Sequence, residues 1–322
     1  MTLIRQPLGR TGFEVSPITF GTSALASLPD TYGYQVSEDQ ARATLLAIFD
    51  SDINVLDTSR NYGFGRAEER IGAVFAELGG KPDGLVLSTK VDRDNDTGRF
   101  DAAQVRRSFE ESLEALGVDR VDILHLHDPE HARDLGEITS SGGAVDELFA
   151  IKAEGLTAAL GVAMGRTDIQ LDIVQEHPWD VVLNHNRYTL LNRRATELFE
   201  YARSEGMGVM NAAPYAGGML AKGSANFDKI NYQDADEADV APVRALEELC
   251  REHDVPLGAV ALQFSMRSAL VDNTVLGVSK PERVAQSIEW ATAELPDDLW
   301  AAIDQLPFST DDPEANRVWS GG

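Results

Sequence analysis

Short apolar runs alternate with longer amphipathic stretches along the whole chain, and the two have different periods. Ile18-Thr19-Phe20-Gly21 reads as a strand, Glu38 to Asp50 as a helix, and Asn54 to Asp57 as a strand again. Ala67 to Leu78 places Ile71, Val74, Phe75 and Leu78 on one helical face, and Leu85 to Thr89 forms the next strand, running onto Lys90. Ala102 to Leu116 carries Val105, Phe109, Leu113 and Leu116 on one stripe and stops at Gly117, a residue suited to a helix end. Val121 to Leu126 is the fourth strand and runs into His127.

The alternation continues with a helix at Val145 to Glu154, a strand at Ala158 to Ala163, a helix near Asp168 to Glu176 and a strand at Val181 to Asn184. It closes with a helix at Ala195 to Glu205, a strand at Gly208 to Ala212, helices between Val240 and Met266, a strand at Thr274 to Val278 and a helix from Pro281 to Glu294. Eight strand-helix units with no long linker favour an α/β fold of the (β/α)₈ TIM barrel type over an open doubly wound sheet. One domain over residues 1–322 is expected. Two segments fall outside the repeat. Leu3 to Val15 reads as an N-terminal hairpin able to plug the barrel bottom, and the tail from Pro296, with a helix at Asp297 to Leu306, can fold over the active-site face.

Composition narrows the chemistry. The 322 residues include 53 acidic and 28 basic side chains, a formal charge of -25, which repels nucleic acid and anionic membranes. Any anionic ligand therefore needs a local basic pocket. No long apolar span occurs and Met1 to Gln6 lacks the apolar core of a leader, so a cytoplasmic protein is expected. Cys250 is the only cysteine, in a helical run, and reads as a buried inert thiol. Redox chemistry would have to use a diffusible cofactor.

Asp57, Lys90 and His127 each end a predicted strand, separated by 33 and then 37 residues, about one strand-helix unit each time. Adjacent strands then deliver all three to one mouth, and Tyr62 follows Asp57 closely enough to turn back over it. Each residue alone has a structural reading; together they form a proton-transfer set. An ammonium favours the phenolate of a neighbouring tyrosine, a carboxylate holds the ammonium, and a histidine donates to a carbonyl oxygen. Strand alternation places His125 one layer below His127, as a hydrogen-bonded interior histidine. A metal set of His125, His127, Asp128 and His131 matches no standard zinc spacing, and no metal is expected.

At these residues the chain resembles the aldo-keto reductase superfamily over nearly its whole length. Leu8-Gly9-Arg10-Thr11-Gly12, Asp57-Thr58-Ser59 with Tyr62-Gly63, Gly65-Arg66-Ala67-Glu68-Glu69, Ser88-Thr89-Lys90 and the His127 strand stand in the family's order and spacing. His127-Asp128-Pro129-Glu130, Arg187-Tyr188-Thr189-Leu190-Leu191 and Ala261-Leu262-Gln263-Phe264 look most like the sugar 1-dehydrogenases of threo-aldose and L-fucose type and the pyridoxal dehydrogenases. The resemblance implies a barrel that binds NADP, or alternatively NAD, without a Gly-x-Gly-x-x-Gly fingerprint. It also implies the tetrad Asp57, Tyr62, Lys90 and His127.

The same resemblance implies hydride transfer between nicotinamide and a carbonyl or hemiacetal carbon, with oxidation of an aldose at C1 preferred. Reduction of small aldehydes or ketones is the alternative, and a non-catalytic nucleotide-sensing subunit the alternative of another class. Implied cofactor contacts are His185, the loop with Gly217, Gly218 and Leu220, and Ser279, Lys280, Arg283 and Gln286 at the start of the last barrel helix. That helix N-terminus, with two cations and a hydroxyl, suits a 2′-phosphate. Ala163-Met164 and Ala212 depart from the family's usual nicotinamide contacts. Arg60, Asn61, Arg187 and Trp319 are positioned to reach a small carbonyl or sugar substrate, although Arg60 also suits pairing with a surface carboxylate.

Overall fold

The computed structural model describes residues 3–315 and residue 317. Eight parallel strands close into a barrel: β1 (Ile18–Gly21), β2 (Val55–Asp57), β3 (Val86–Val91), β4 (Val121–His127), β5 (Thr157–Met164), β6 (Val181–His185), β7 (Gly208–Ala212) and β8 (Asn273–Gly277). They pair in chain order, and β8 closes the ring on β1 through Thr274↔Ile18 and Leu276↔Phe20. Helices between the strands bury one stripe against the barrel's outer face, as in Arg66–Leu78, where Ile71, Val74 and Phe75 are buried. Leu78 departs from the expected stripe. It lies in the last turn of that helix and is 48% exposed.

Helix ends follow local chemistry. Asp101 accepts the backbone N–H of Gln104 to start Ala102–Leu116, and Gly117 ends it at φ +66. The strand nearest Lys90 is longer than its apolar run suggests: β3 continues to Val91, so Lys90 is a strand residue. The register slides upward around the ring. Asp57 faces Ser88, Lys90 faces His125 and His127 faces Ala163, so a residue two positions further along each strand is needed to reach the same height.

Two pieces close the barrel's ends. The antiparallel pair Gln6–Pro7 and Glu14–Val15 lies across the bottom, where Leu8 and Val15 pack with the inward side chains Val55, Val86, Ile123 and Val181. After the helix Asp297–Ile303, the tail pairs Asn192 with Ser309 and reaches the upper end of β6 at His185. A surface groove of about 800 Å³ between Leu46, Phe49, Leu78 and Lys81 opens at the opposite end from the strand termini that carry the polar residues.

Leu8 is fully buried in the bottom plug. Leu8→Ala is expected to lower unfolding free energy by about 2–5 kcal/mol, read from urea denaturation. An unchanged midpoint would show that the hairpin contributes nothing to closure.

Candidate active site

The upper ends of β2, β3 and β4 bring four side chains together. Lys90, 1% exposed, donates from Nζ to Asp57 Oδ2 at 2.7 Å, to the Thr58 carbonyl at 2.6 Å and to the Tyr62 hydroxyl oxygen at 3.1 Å. The second Asp57 oxygen accepts from Ser88 at 2.9 Å. The loop after β2 carries Tyr62 back over the barrel, and its ring meets that of His127 edge-on at 5.8 Å between centroids. Asp57, Tyr62, Lys90 and His127 are thus neighbours, as the strand-end spacing predicts.

The electrostatics differ from the sequence expectation at Tyr62. Burial, followed by the Asp57 carboxylate, raises its pKa well above the ordinary tyrosine value. The Lys90 ammonium is already matched by Asp57 and does not draw the proton off; Tyr62 is a phenol at neutral pH. An oxygen that accepts from Lys90 and keeps its own proton is a hydrogen donor for an oxygen placed above it.

His127 is held by a group that the strand reading omitted. Asp92 lies one residue beyond β3 and on the same side as Lys90, and its Oδ1 is 2.6 Å from His127 Nδ1. Ser59 bridges the pair, donating to Asp92 Oδ2 at 2.7 Å and lying 3.0 Å from His127 Nδ1. With Nδ1 committed to Asp92, Nε2 is the free ring nitrogen, 3.7 Å from Asp128. Burial disfavours the imidazolium, but the Asp92 and Asp128 carboxylates outweigh it and raise the pKa. The alternation that places Lys90 inward would also have found Asp92, had the strand not been ended at Thr89.

His125 sits below, with a correction. Neither ring nitrogen has a hydrogen-bond partner among the described residues. Burial and the Lys90 charge push its pKa well below the ordinary histidine value, so it is a neutral spacer under the ammonium. Gly161 makes room for it, since a Cβ there would stand 2.3 Å from Nδ1. Among the described residues no group of three or more His, Cys, Asp or Glu is placed to hold a metal ion.

On the far side of the mouth, His185 ends β6. Its imidazole is opposed by burial but raised to about 9 by the Asp128 and Glu314 carboxylates, at 3.8 and 3.4 Å. Arg187, expected to reach the pocket, is instead engaged by the tail: it pairs with Asp312 at 2.7 Å and with Glu314. Arg60 takes its surface-pairing alternative, bonded to Glu111 at 3.1 Å and lying 3.9 Å from the buried Glu68. Asn61 donates its backbone N–H to Asp92 and accepts from Asn95. Trp319 lies outside the described residues.

A second polar region follows β7 and β8. Ala216 to Gly218 form a tight turn with Gly217 at φ +72; a Cβ there would press to 2.9 Å on the backbone nitrogens of Asn231 and Tyr232. Leu220 beneath it is fully buried and anchors the turn in the core. The helix Pro281–Thr292 starts without a side-chain cap; Pro281 has no N–H and the Arg283 N–H donates to the Lys280 carbonyl at 3.1 Å, so the terminus would favour an anion mainly through its dipole. Lys280 is the residue before it, and Arg283 in its first turn bonds to Gln286. Lys222, missed in the sequence, feels the Arg283 charge across the turn. Among the described residues, Lys222, Lys280 and Arg283 form no ion pair with a carboxylate, in contrast to Arg187. These groups fit the phosphates of a dinucleotide.

A family model described as the aldo/keto reductase family matches residues 17–307. The chain belongs to this family. It is 36% identical to a D-threo-aldose 1-dehydrogenase from Pseudomonas sp, over 83% of this chain and 88% of that protein. It is 30% identical to a pyridoxal 4-dehydrogenase from Microbacterium luteolum, over 93% and 96%. Its fold matches an aldo-keto reductase from Bacillus halodurans in the holo form at a TM-score of 0.78 and 22% identity, covering 98% of this chain and 100% of that one. This aldo/keto reductase is an oxidoreductase, from a family that uses nicotinamide cofactors and small carbonyl substrates. No helix among the described residues is long and apolar enough to cross a membrane.

Asp92 supports the raised pKa of His127, which fixes the sign of one pH effect. Folded His127 titrates above its unfolded value of about 6.5, so its contribution to stability is fully present below that value and is lost as pH rises through the folded pKa. The stability deficit of Asp92→Asn relative to wild type should therefore be larger near pH 6 than near pH 9 (about those values) in urea melts. A deficit that grows with pH would exclude this coupling.

Proposed function

We propose that this enzyme oxidises an aldose at C1 to its lactone, passing hydride to a bound nicotinamide nucleotide. The observation that carries the reading is the Tyr62–Lys90–Asp57 chain, with Lys90 and Asp57 buried and His127 edge-on to Tyr62. The nicotinamide supplies the hydride acceptor. His127 Nε2, aimed by Asp92, would hold the C1 oxygen in place, and that oxygen's proton would pass to Tyr62. Asp57 and the Thr58 carbonyl hold Lys90 under the tyrosine oxygen, where its charge stabilises the phenolate that must form before it accepts the proton. Similarity to a D-threo-aldose 1-dehydrogenase supports the choice of substrate.

Reduction of small aldehydes or ketones with the same residues is the second reading. Its support is the raised pKa of Tyr62, which keeps the acid form ready at neutral pH. The two directions predict opposite pH profiles. The oxidation rate should climb steadily with pH through the neutral range as the phenolate fraction grows, while reduction draws on a phenol that is already fully protonated there. Tyr62→Phe should lower turnover in both directions by at least about 100-fold while nucleotide binding, followed by fluorescence titration, persists. A panel of aldoses with either nucleotide provides the assay. A fully active Tyr62→Phe enzyme, or no turnover of any aldose or aldehyde, would remove the proposal.

NADP is the preferred nucleotide. Support comes from the helix start at Pro281, which has no side-chain cap, and from the cations Lys280 and Arg283, which have no carboxylate partner among the described residues. His185 would lie at the nicotinamide end, and Gly217, Gly218 and Leu220 would lie along the pyrophosphate. Arg283→Glu should raise KM for NADP by at least about 10-fold with little change for NAD. An equal effect on both would place Arg283 outside the phosphate site.

A further inference from the structure

The tail places a carboxylate beside the barrel mouth, next to His185 and Arg187. Glu314 reaches back over the barrel mouth from the far C-terminal end, and its side chain is 5% exposed. Arg187, 4% exposed, pairs with it and with Asp312. His185 Nδ1 lies 3.4 Å from Glu314, Arg317 pairs with its second oxygen, and Asn186 donates to it at 3.2 Å. The site is close to the chemistry. His185 contacts Asp128 at 3.8 Å, and Asp128 contacts His127 Nε2 at 3.7 Å. Tyr232 is half-buried and within electrostatic reach of both Glu314 and Tyr62.

On this side of the mouth Arg187, Arg317 and His185 are paired with Glu314, Asp312 and Asp128, and Arg166, itself paired with Asp168, lies 3.9 Å from Asp312, so cations and carboxylates are closely matched. The balance is set by side chains of the protein itself. A substrate carboxylate or phosphate arriving there meets cations that are already paired and a buried carboxylate that cannot turn away into solvent. A neutral hydroxyl can share the same groups as hydrogen-bond donors and acceptors.

We propose that Glu314 is a specificity-determining residue whose locked carboxylate excludes anionic substrates and admits neutral polyhydroxylated ones. This rests on the oxidoreductase reading of the Tyr62 site and names its substrate class. The overall charge of -25 also repels anions, but it is spread over the surface and screened beyond about 8–10 Å. Replacing one acidic residue barely alters that field, whereas at position 314 it leaves Arg187 and His185 with one carboxylate fewer.

The test compares matched neutral and anionic substrates in the nucleotide-saturated enzyme. Galactose against galacturonate reads the oxidative direction, and butanal against succinic semialdehyde the reductive one. Wild type should prefer the neutral member of each pair in kcat/KM. Glu314→Gln should shift that ratio toward the anion by at least about 10-fold, mainly through KM of the anionic substrate. Glu314→Ala, which removes the hydrogen bonds as well as the charge, should shift it in the same direction.

A tail that detached altogether would also release Arg187 from Asp312 and would become open to proteolysis, so the ratio is read on a Glu314→Gln enzyme whose tail is as protease-resistant as in wild type. A flat ratio overturns the proposal, as does a wild type without preference for the neutral member. If wild type turned over neither pair, the proposed oxidoreductase reaction would fail separately. The filter would then be read as the ratio of dissociation constants for galactonate and galactitol on the nucleotide-bound protein, and equal values in wild type would overturn it.

Discussion

An ammonium buried to 1% exposure must replace its lost water with acceptors, and Lys90 does so with three oxygens: a carboxylate, a backbone carbonyl and a phenol. Meeting that demand fixes the site. Asp57 must stand one strand away at the height that the register gives it, the loop after β2 must present the Thr58 carbonyl, and Tyr62 must turn back to supply the third acceptor. The arrangement also sets the proton inventory. Because Asp57 cancels most of the Lys90 charge, burial dominates at Tyr62 and keeps its proton on. The lysine therefore orients and moderates the tyrosine without ionising it.

The barrel was legible because eight apolar runs and the amphipathic helices between them have different periods, and the polar residues that end three of those runs stand out against them. Val86–Val91 shows where the reading stops. An apolar run ends at Thr89, yet hydrogen bonding to β4 carries the strand on through Lys90, and with it the inward alternation that reaches Asp92. The tail was illegible for another reason. Glu314 lies 129 residues beyond His185, in a polar segment without periodicity, and its position is determined by a buried arginine that no local pattern reveals. Arg187 looked available in the sequence because its partners were equally far away.

Two histidines two residues apart illustrate how depth decides chemistry on one strand face. His125 lies against Gly161 with Lys90 as its charged neighbour, and both burial and that charge favour the neutral ring. One layer up, His127 meets Asp92 and Asp128, and the carboxylates reverse the sign of the shift. The lower ring fills space beneath the ammonium; the upper one has a fixed tautomer and a free nitrogen. Periodicity alone separates the layers, but the opposite protonation behaviour comes from carboxylates contributed by the strand ends.

The distribution of cations extends the same logic to the whole mouth. In a chain with 53 acidic and 28 basic residues, three cations that have no carboxylate partner among the described residues, Lys222, Lys280 and Arg283, lie together beside a helix start without a side-chain cap. Across the barrel, Arg187 and His185 are matched one for one by the tail and by Asp128. On the proposed reading, the unmatched end receives the phosphates of a nucleotide and the matched end receives a neutral sugar. Had Glu314 been absent, both ends would attract anions, and nucleotide phosphates and substrate would compete for the same kind of group. Balancing one end while leaving the other open gives each ligand a distinct electrostatic address within a single barrel.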